Sequence, residues 1–188
     1  MEKRFENRSC IQINILMNKK IKRIALIGPE STGKTTLCEQ LSKHFKTVWV
    51  PEYSRDYVEK LNRPYTLQDI EICTRKQLEE EDASISKANN FIFSDTELIV
   101  AKIWCEDVFK SCPAWIENEI GKRKYDLYLL TFPDLPFKED PVRENPQRRE
   151  YFFGLYKSEL EKRNYDFEII RGNGISRFEN CLQAIDKM

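Results

Sequence analysis

A nine-residue run, GPESTGKTT at residues 28–36, constrains this chain more than any other feature. It satisfies the phosphate-loop pattern G-x-x-x-x-G-K-[ST] at every fixed position, with an apolar β-rich run before it and a helical pattern after it. The glycines let successive backbone N–H groups surround an anion, and the following helix adds its positive end. Lys34 then reaches the β- and γ-phosphates, while the Thr35 hydroxyl is placed to ligate Mg²⁺. The predicted ATP-binding residues are Gly28, Pro29, Glu30, Ser31, Thr32, Gly33, Lys34, Thr35 and Thr36.

From residue 22 onward, short apolar β-rich runs alternate with helical patterns, which is typical of βαβ units and a parallel sheet. The runs predict five strands, at Arg23–Ile27, Thr47–Val50, Phe91–Ser94, Leu127–Leu130 and Phe167–Ile170. Seven helical segments lie between and after them, at 35–45, 54–61, 67–88, 97–109, 115–122, 146–162 and 176–187. The prediction is therefore an α/β P-loop fold with a five-stranded parallel sheet flanked by helices.

The first 20 residues are polar and lack clear periodicity, so we interpret them as an N-terminal extension preceding one domain over 21–188. Met17, just before a basic cluster, is a candidate natural start. The alternative is an additional edge strand at 11–16.

Charge and hydropathy exclude several function classes. The 31 basic and 31 acidic residues give a net charge of zero, so no global field draws the chain to nucleic acid or an anionic membrane. No run of about 18 apolar residues is present, and no secretory signal begins the sequence. A small-molecule partner and a cytoplasmic location are expected, whereas the oligomeric state is left open.

The six cysteines are scattered and contain no C-x-x-C pair, which is typical of reduced cysteines in a cytosolic protein rather than of a disulfide framework or zinc site. The single histidine, His44, has no partner for a nucleophilic relay. Hydrolase-type nucleophilic catalysis is therefore disfavoured.

A proline-rich stretch, TFPDLPFKEDPVRENP at residues 131–146, cannot form a continuous helix or strand. A loop of this length is usually a functional lid or a linker, and its arginine favours a lid. Arg143, Arg148 and the adjacent Arg149 lie in or just after it and are candidates to neutralise charge on the γ-phosphate. The alternative is that at least one of Arg148 and Arg149 lies on a solvent-exposed basic face of the helix.

Two carboxylates follow predicted strands. Asp95 comes after the 91–94 run and Glu52 just after the 47–50 run. Because the carboxyl ends of parallel strands meet at one edge, both are expected beside the phosphate loop. Either is suited to accept a proton from an acceptor hydroxyl or to hold metal-bound water. The alternative for each is a helix N-terminal acid.

Further candidates lie on the helices beside this edge. Arg55 is a candidate for the acceptor side, with a surface ion pair to Glu59 as the alternative. Tyr53 and Trp104 carry rings able to stack on a flat base. The apolar neighbours of Trp104 equally favour a core position.

The segments GPESTGKTTL, PEYSRDYVE, FSDTELIVAKIW, YDLYLLTFPDLPFKEDPVREN and the C-terminal IIRGNG-x-x-RF together resemble the NadR-type ribosylnicotinamide kinase domain from about residue 21 to the C-terminus. The resemblance implies transfer of the γ-phosphate of ATP to the ribose 5′-hydroxyl of nicotinamide riboside. It implies that Gly33, Lys34 and Thr35 bind nucleotide and magnesium and that Asp95 is the catalytic carboxylate. The lid of the family corresponds to the segment with Asp134, Asp140 and Arg143.

The chain departs from the family pattern in the lid, where Phe137 and Pro141 replace the usual tryptophan and glycine. Two other functions stay open: a kinase for another nucleoside, nucleotide or vitamin alcohol, and a nucleotide-dependent regulatory ATPase. Against a guanine-specific switch, no N-K-x-D or T-K-x-D follows the fourth predicted strand.

Overall fold

A computed structural model describes residues 20–140 and 143–188 of the chain. Five strands form one parallel sheet in the order β2-β3-β1-β4-β5. They are β1 (Lys22–Ile27), β2 (Val48–Val50), β3 (Phe91–Asp95), β4 (Leu127–Thr131) and β5 (Phe167–Ile170). All five predicted strands are present, and each bound agrees with the prediction within one residue. The predicted α/β fold is confirmed.

The described residues contain seven helices. They are α1 (Lys34–Phe45), α2 (Tyr53–Glu59), α3 (Leu67–Ile85), α4 (Leu98–Phe109), α5 (Ala114–Lys122), α6 (Arg149–Lys162) and α7 (Gly174–Asp186). Four helix bounds differ from the prediction by more than one residue. The end of α2 and the start of α7 each lie two residues earlier than predicted, α3 ends three residues early, and α6 begins three residues late. Turns take the place of the missing helical residues, since Arg148 N donates to Asn145 O and Ala88 N donates to Ile85 O, both at 3.1 Å.

The sheet separates two apolar layers. On one face, Ala25 and Ile27 of β1 pack with buried residues of α3, α4, α5 and α6. On the other face, Ile24 and Leu26 pack with α1 and α7. This alternation along β1 is the two-residue period of a strand buried on both sides. The carboxyl end of the central strand therefore projects from a rigid layer, which positions the loop that follows it.

Helix α3 begins at a capping box. The Thr66 hydroxyl accepts from Asp69 N, and Asp69 in turn accepts from Thr66 N at 2.7 Å. Arg63 and Tyr57 also donate to Asp69, and the Arg63 guanidinium holds the pKa of this carboxyl well below its usual range. Thr66 is therefore the N-cap of α3, and these hydrogen bonds fix where the helix begins.

The proposed extension over 1–20 and its alternative strand at 11–16 fall almost entirely outside the described residues, as does Pro141. These interpretations stay predictions. The five cysteines that the structure describes are free thiols, with Cys112 partly exposed and the other four buried. Within the described part of the chain, no helix has both the length and the apolar character needed to cross a membrane.

Candidate active site

The phosphate loop connects the end of β1 to the start of α1. Gly28 has a φ of 142° and Gly33 a φ of 80°, both in the region that favours glycine. A Cβ at Gly28 would lie 2.3 Å from Thr131 Oγ1 and 2.7 Å from Thr131 O. Close packing against β4 therefore requires glycine at residue 28.

Two buried hydroxyls brace this loop against the sheet. Thr32 Oγ1 lies 2.8 Å from Pro29 O and 2.7 Å from Thr131 Oγ1. Thr131 Oγ1 lies 3.0 Å from Ile27 O. The loop is consequently preorganised before any phosphate arrives, which lowers the entropic cost of binding.

Lys34 reaches back over the loop. Its Nζ donates to Gly28 O and Pro29 O, both at 3.0 Å. These carbonyls are replaceable partners, and the ammonium lies on the wall of the cleft. A cation in this position is suited to exchange carbonyl oxygens for phosphate oxygens.

Asp95 ends β3 beside the start of α1. Its Oδ2 accepts a 2.5 Å hydrogen bond from Thr35 Oγ1, while Oδ1 is buried and has no hydrogen-bond partner among the described residues. Burial, and then the Glu52 charge, raise the pKa of Asp95 to about 6, against the opposing effect of Lys34. The neighbouring residue Glu97, rather than Asp95, caps α4 by accepting from Ile99 N.

The pair of Thr35 and Asp95 fits a magnesium site. A hydroxyl oxygen lies next to a carboxylate with one unpartnered oxygen, and oxygen ligands are what Mg²⁺ prefers. The raised pKa of Asp95 is the behaviour of a buried carboxylate that lacks a compensating cation.

Thr96 has a left-handed backbone with a φ of 70°, which is costly for a β-branched residue. Its N–H donates to Leu26 O at 3.0 Å. Asp95 contacts Thr35 of α1 and Glu97 contacts Ile99 of α4, so the acids on either side of Thr96 lie in different environments.

Glu52 is the N-cap residue of α2 and lines the same cleft as the phosphate loop. Its side chain makes no cap hydrogen bond to the helix, and Oε1 accepts from Ser54 Oγ at 2.8 Å. Its charge is felt at Asp95. The expected convergence of Glu52, Asp95 and the phosphate loop is thus observed.

A single cleft of about 250 Å³ joins the phosphate loop to an acceptor-sized space. Phosphate-loop residues 28–36 form one wall. The other lining residues, together called the acceptor wall, are Glu52, Ser54, Arg55, Val58, Tyr65, Thr96, Val100, Trp104, Asp107, Val108, Arg143, Glu144, Asn145, Phe152 and Tyr156. This volume is near the lower end of ordinary small-ligand pockets.

Trp104 lies on the acceptor wall and also packs against the core. Its ring makes an edge contact with Tyr65 at 5.0 Å, and its Nε1 donates to Tyr65 Oη at 3.2 Å. Tyr65 Oη donates to Glu144 at 3.0 Å. Trp104 is therefore partly packed against the core and also lines the cleft, and its stacking on a base stays a prediction.

The arginines of the 131–146 loop and its surroundings have different partners. Arg143 lines the cleft and donates to Lys138 O at 2.7 Å. Arg148 lies outside the cleft lining and pairs with Asp107 at 2.5 Å. Arg149 donates to the phosphate-loop carbonyls Glu30 O and Ser31 O, at 3.1 and 3.2 Å.

Arg55 lines the cleft and pairs with Asp140 of the loop, rather than with Glu59. Tyr53 does not line the cleft, and its N–H donates to Gln77 Oε1 at 2.8 Å. The structure thus brings together all predicted site residues except Tyr53 and Arg148, with Asp95 reaching the site through Thr35.

Sequence reasoning missed several residues of the acceptor wall, above all Tyr65, Glu144 and Tyr156. It also missed the role of Glu30, whose two oxygens accept from Glu144 N and Asn145 N at 3.2 Å each. Glu30 occupies a variable position of the phosphate-loop pattern, so the motif carries no signal for this contact.

The fold and the loop define a P-loop nucleotide-binding protein with a kinase-like α/β architecture. A family model described as an AAA domain matches residues 23–177. The chain belongs to this AAA-domain family, and the resemblance to NadR-type kinase domains is confirmed.

The trifunctional NAD biosynthesis/regulator protein NadR of Escherichia coli (strain K12) is 25% identical over 177 residues. That match covers 89% of this chain and 43% of the relative, so the chain spans less than half of the relative's length. Structures of NadR protein, one in complex with NR and one with NAD and AMP-PNP, superpose with TM-scores of 0.76 and 0.75 at 19% identity. They cover 89% of this chain, and 50% and 49% of those chains.

The deoxyadenosine kinase from M. mycoides, solved with its products, superposes with a TM-score of 0.61 at 13% identity. The match covers 88% of this chain and 100% of that one. At these identities, the structural likeness establishes the fold.

Proposed function

We propose that this chain is an ATP-dependent nucleoside kinase that phosphorylates the ribose 5′-hydroxyl of nicotinamide riboside to give nicotinamide mononucleotide. One observation carries the proposal: the phosphate loop and an acceptor-sized space share one cleft, with Glu52 and Asp95 beside their junction. A regulatory ATPase needs no such space.

At the phosphate end, the loop amides and Lys34 bind the β- and γ-phosphates of ATP. Arg143 lies on the same cleft, and its present partner is the carbonyl oxygen of Lys138. We assign it to the charge that develops on the transferred phosphoryl group. A magnesium ion held by Thr35 and Asp95 would supply further positive charge at the phosphates.

At the acceptor end, Glu52 is the group we assign as general base. It lines the acceptor space and is not tied to Thr35, whereas Asp95 is. The acceptor oxygen forms a bond to the γ-phosphorus as the bond to the β,γ-bridging oxygen breaks, ADP leaves, and the hydroxyl proton passes to Glu52.

The charge and aromatic content of the acceptor wall favour a cationic ring. Trp104 and Tyr65 present aromatic surface, and Glu52 and Glu144 present carboxylates to the same space. Arg55 and Arg143 also lie there, but Arg55 is paired with Asp140. Nicotinamide riboside carries a positively charged pyridinium, which suits such a wall.

The similar structures also support a kinase for nicotinamide riboside, since one NadR structure contains NR and another contains NAD and AMP-PNP. Kinase activity toward a different nucleoside, nucleotide or vitamin alcohol is the second candidate, favoured by the likeness to deoxyadenosine kinase.

The test is an acceptor panel. Purified protein is incubated with ATP, Mg²⁺ and single acceptors, including nicotinamide riboside, its uncharged dihydro form, adenosine, deoxyadenosine and pantothenate, and products are identified by mass spectrometry. We expect nicotinamide mononucleotide as the main product and a lower kcat/KM for the dihydro form. Preference for any other acceptor would refute the nicotinamide riboside assignment and leave the kinase class intact.

A further inference from the structure

Gln77 is a polar residue on the buried face of α3. It follows Ile70, Cys73 and Thr74 at helical spacing, and only 8% of its surface is exposed. Its Oε1 accepts from Tyr53 N at 2.8 Å. Because an amide oxygen accepts and an amide nitrogen donates, this bond fixes which way the side-chain amide points.

The other end of the amide is unsatisfied. Gln77 Nε2 is buried and has no hydrogen-bond partner among the described residues. Buried donors are nearly always paired, so a lone one beside a cavity indicates a missing partner such as a water or a ligand atom.

Gln77 lines a side pocket of about 40 Å³. The pocket shares Glu52, Thr96 and Trp104 with the main cleft, so the two are adjacent. A cavity measured in this way holds one water molecule at about 10–15 Å³, so the side pocket has room for a few non-hydrogen atoms, which is the size of a small exocyclic group.

Glu97 lies on the same side pocket. Only 5% of it is exposed, and its Oε1 accepts from Ile99 N. Neither lysine nor arginine is among the described residues that line the pocket. An amide substituent in this pocket can therefore pair with the Gln77 Nε2 donor and the Glu97 carboxyl, whereas an anionic substituent has no cation to pair with among the described lining residues.

We propose that Gln77 Nε2 donates a hydrogen bond to the carbonyl oxygen of an amide substituent on the acceptor's base, which enters the side pocket with its NH₂ facing Glu97. This inference rests on the proposed function and deepens it, because it makes Gln77 a residue that selects an amide-bearing base over an unsubstituted or acidic one.

The test is Gln77→Glu, which retains an oxygen for Tyr53 N and has no donor when ionised, together with Gln77→Met, which has no donor at any pH. Gln68→Glu, the same change on the exposed face of α3, is the matched control. The kcat/KM is measured at pH 8 for nicotinamide riboside, ribosylpyridinium without the carboxamide, and nicotinic acid riboside. Parent and control should prefer the amide over the unsubstituted ring by about tenfold or more, and Gln77→Glu should bring that ratio to about one. The KM for ATP should not change.

An unchanged ratio in Gln77→Glu overturns the inference while the kinase proposal stands. Gln77→Met, which adds no charge, should lose the preference in the same way, and it replaces Gln77→Glu if that variant does not fold. Calorimetry on the parent protein separately compares its affinity for the amide and for the unsubstituted ring. Equal affinity of the parent for the amide and the unsubstituted ring would show that Gln77 holds only an ordered water. Phosphorylation of a different nucleoside would refute the nicotinamide riboside assignment, and the comparison is then made between that nucleoside and its analogue without the ring carbonyl.

Discussion

Thr35 Oγ1, at the start of α1, donates a 2.5 Å hydrogen bond to Asp95 Oδ2, at the end of β3. The contact joins the phosphate loop to the neighbouring strand at the edge where a nucleotide and an acceptor would meet. It also leaves Asp95 Oδ1 buried and unpartnered among the described residues. Asp95 is therefore a carboxylate whose environment disfavours its charge until a cation arrives.

Replacing Asp95 with Asn retains its shape and removes its charge. We expect turnover to fall by a factor of about 10² or more, because the phosphate side of the site loses a carboxylate. Nucleotide affinity, measured by calorimetry, should fall much less, because the loop amides and Lys34 make most phosphate contacts. Asp186→Asn, at an exposed position of α7, is the control. Normal turnover in Asp95→Asn would remove Asp95 from the mechanism.

The stability of the same variant should depend on pH. Burial and Glu52 raise the pKa of Asp95 to about 6 in the folded protein, against about 3.9 in an unfolded chain. The folded state thus holds this proton more tightly, and the stability it contributes is present below pH ~4 and lost as pH rises through about 6. Without nucleotide or Mg²⁺, Asp95→Asn should melt above the parent at pH 8, and the difference should shrink toward pH 5. A variant that melts below the parent at pH 8 would contradict this.

Lys34→Ala should reduce phosphoryl transfer by a factor of about 10² or more while the fold is retained. Among the described residues, the Lys34 ammonium donates to the carbonyl oxygens of Gly28 and Pro29, and Lys34 lines the cleft, where water can take the place of the ammonium. Circular dichroism and a kinase assay on one preparation check both parts. Lys43→Ala, an exposed change on the same helix, should behave as the parent. Activity of Lys34→Ala within a few-fold of the parent is the contrary result.

Gly28→Ala should destabilise the protein by more than about 1 kcal/mol and weaken nucleotide binding, because the new Cβ would meet Thr131 at a φ that disfavours alanine. Thr131→Ala should not rescue it, since the Thr131 carbonyl oxygen, 2.7 Å away, remains. Gly154→Ala in α6, where a Cβ meets nothing within 4 Å, should instead stabilise by about 0.5–1 kcal/mol. Thermal unfolding and nucleotide titration compare the three variants. Rescue by Thr131→Ala would show that the side-chain clash alone matters.

Much of the fold was predictable because local patterns determine it. The phosphate-loop pattern is local in sequence, and the apolar runs at 23–27 and 91–94 mark strands buried on both faces. Once parallel strands are inferred, the convergence of Glu52 and Asp95 follows from the geometry of a sheet edge.

The acceptor wall was harder to predict, because its residues come from helices whose docking decides which side faces the cleft. Gln77 shows what signal was available: it interrupts the buried stripe formed by Ile70, Cys73 and Thr74, and a polar residue on such a stripe needs a partner. The sequence does not predict which partners Arg148 and Arg149 contact. Two adjacent arginines at the start of a helix are alike in sequence, and only the orientation of the helix decides where each side chain points.

The most direct test of the kinase proposal follows the γ-phosphate. The protein is incubated with ATP labelled in its γ-phosphate, Mg²⁺ and nicotinamide riboside, and the label is separated into nucleoside monophosphate and inorganic phosphate. We predict that nearly all released label appears in nicotinamide mononucleotide, in equal amount to ADP, and that ADP formation almost stops without acceptor. Label released mainly as inorganic phosphate at the same rate with or without any nucleoside would contradict the proposal and indicate an ATPase.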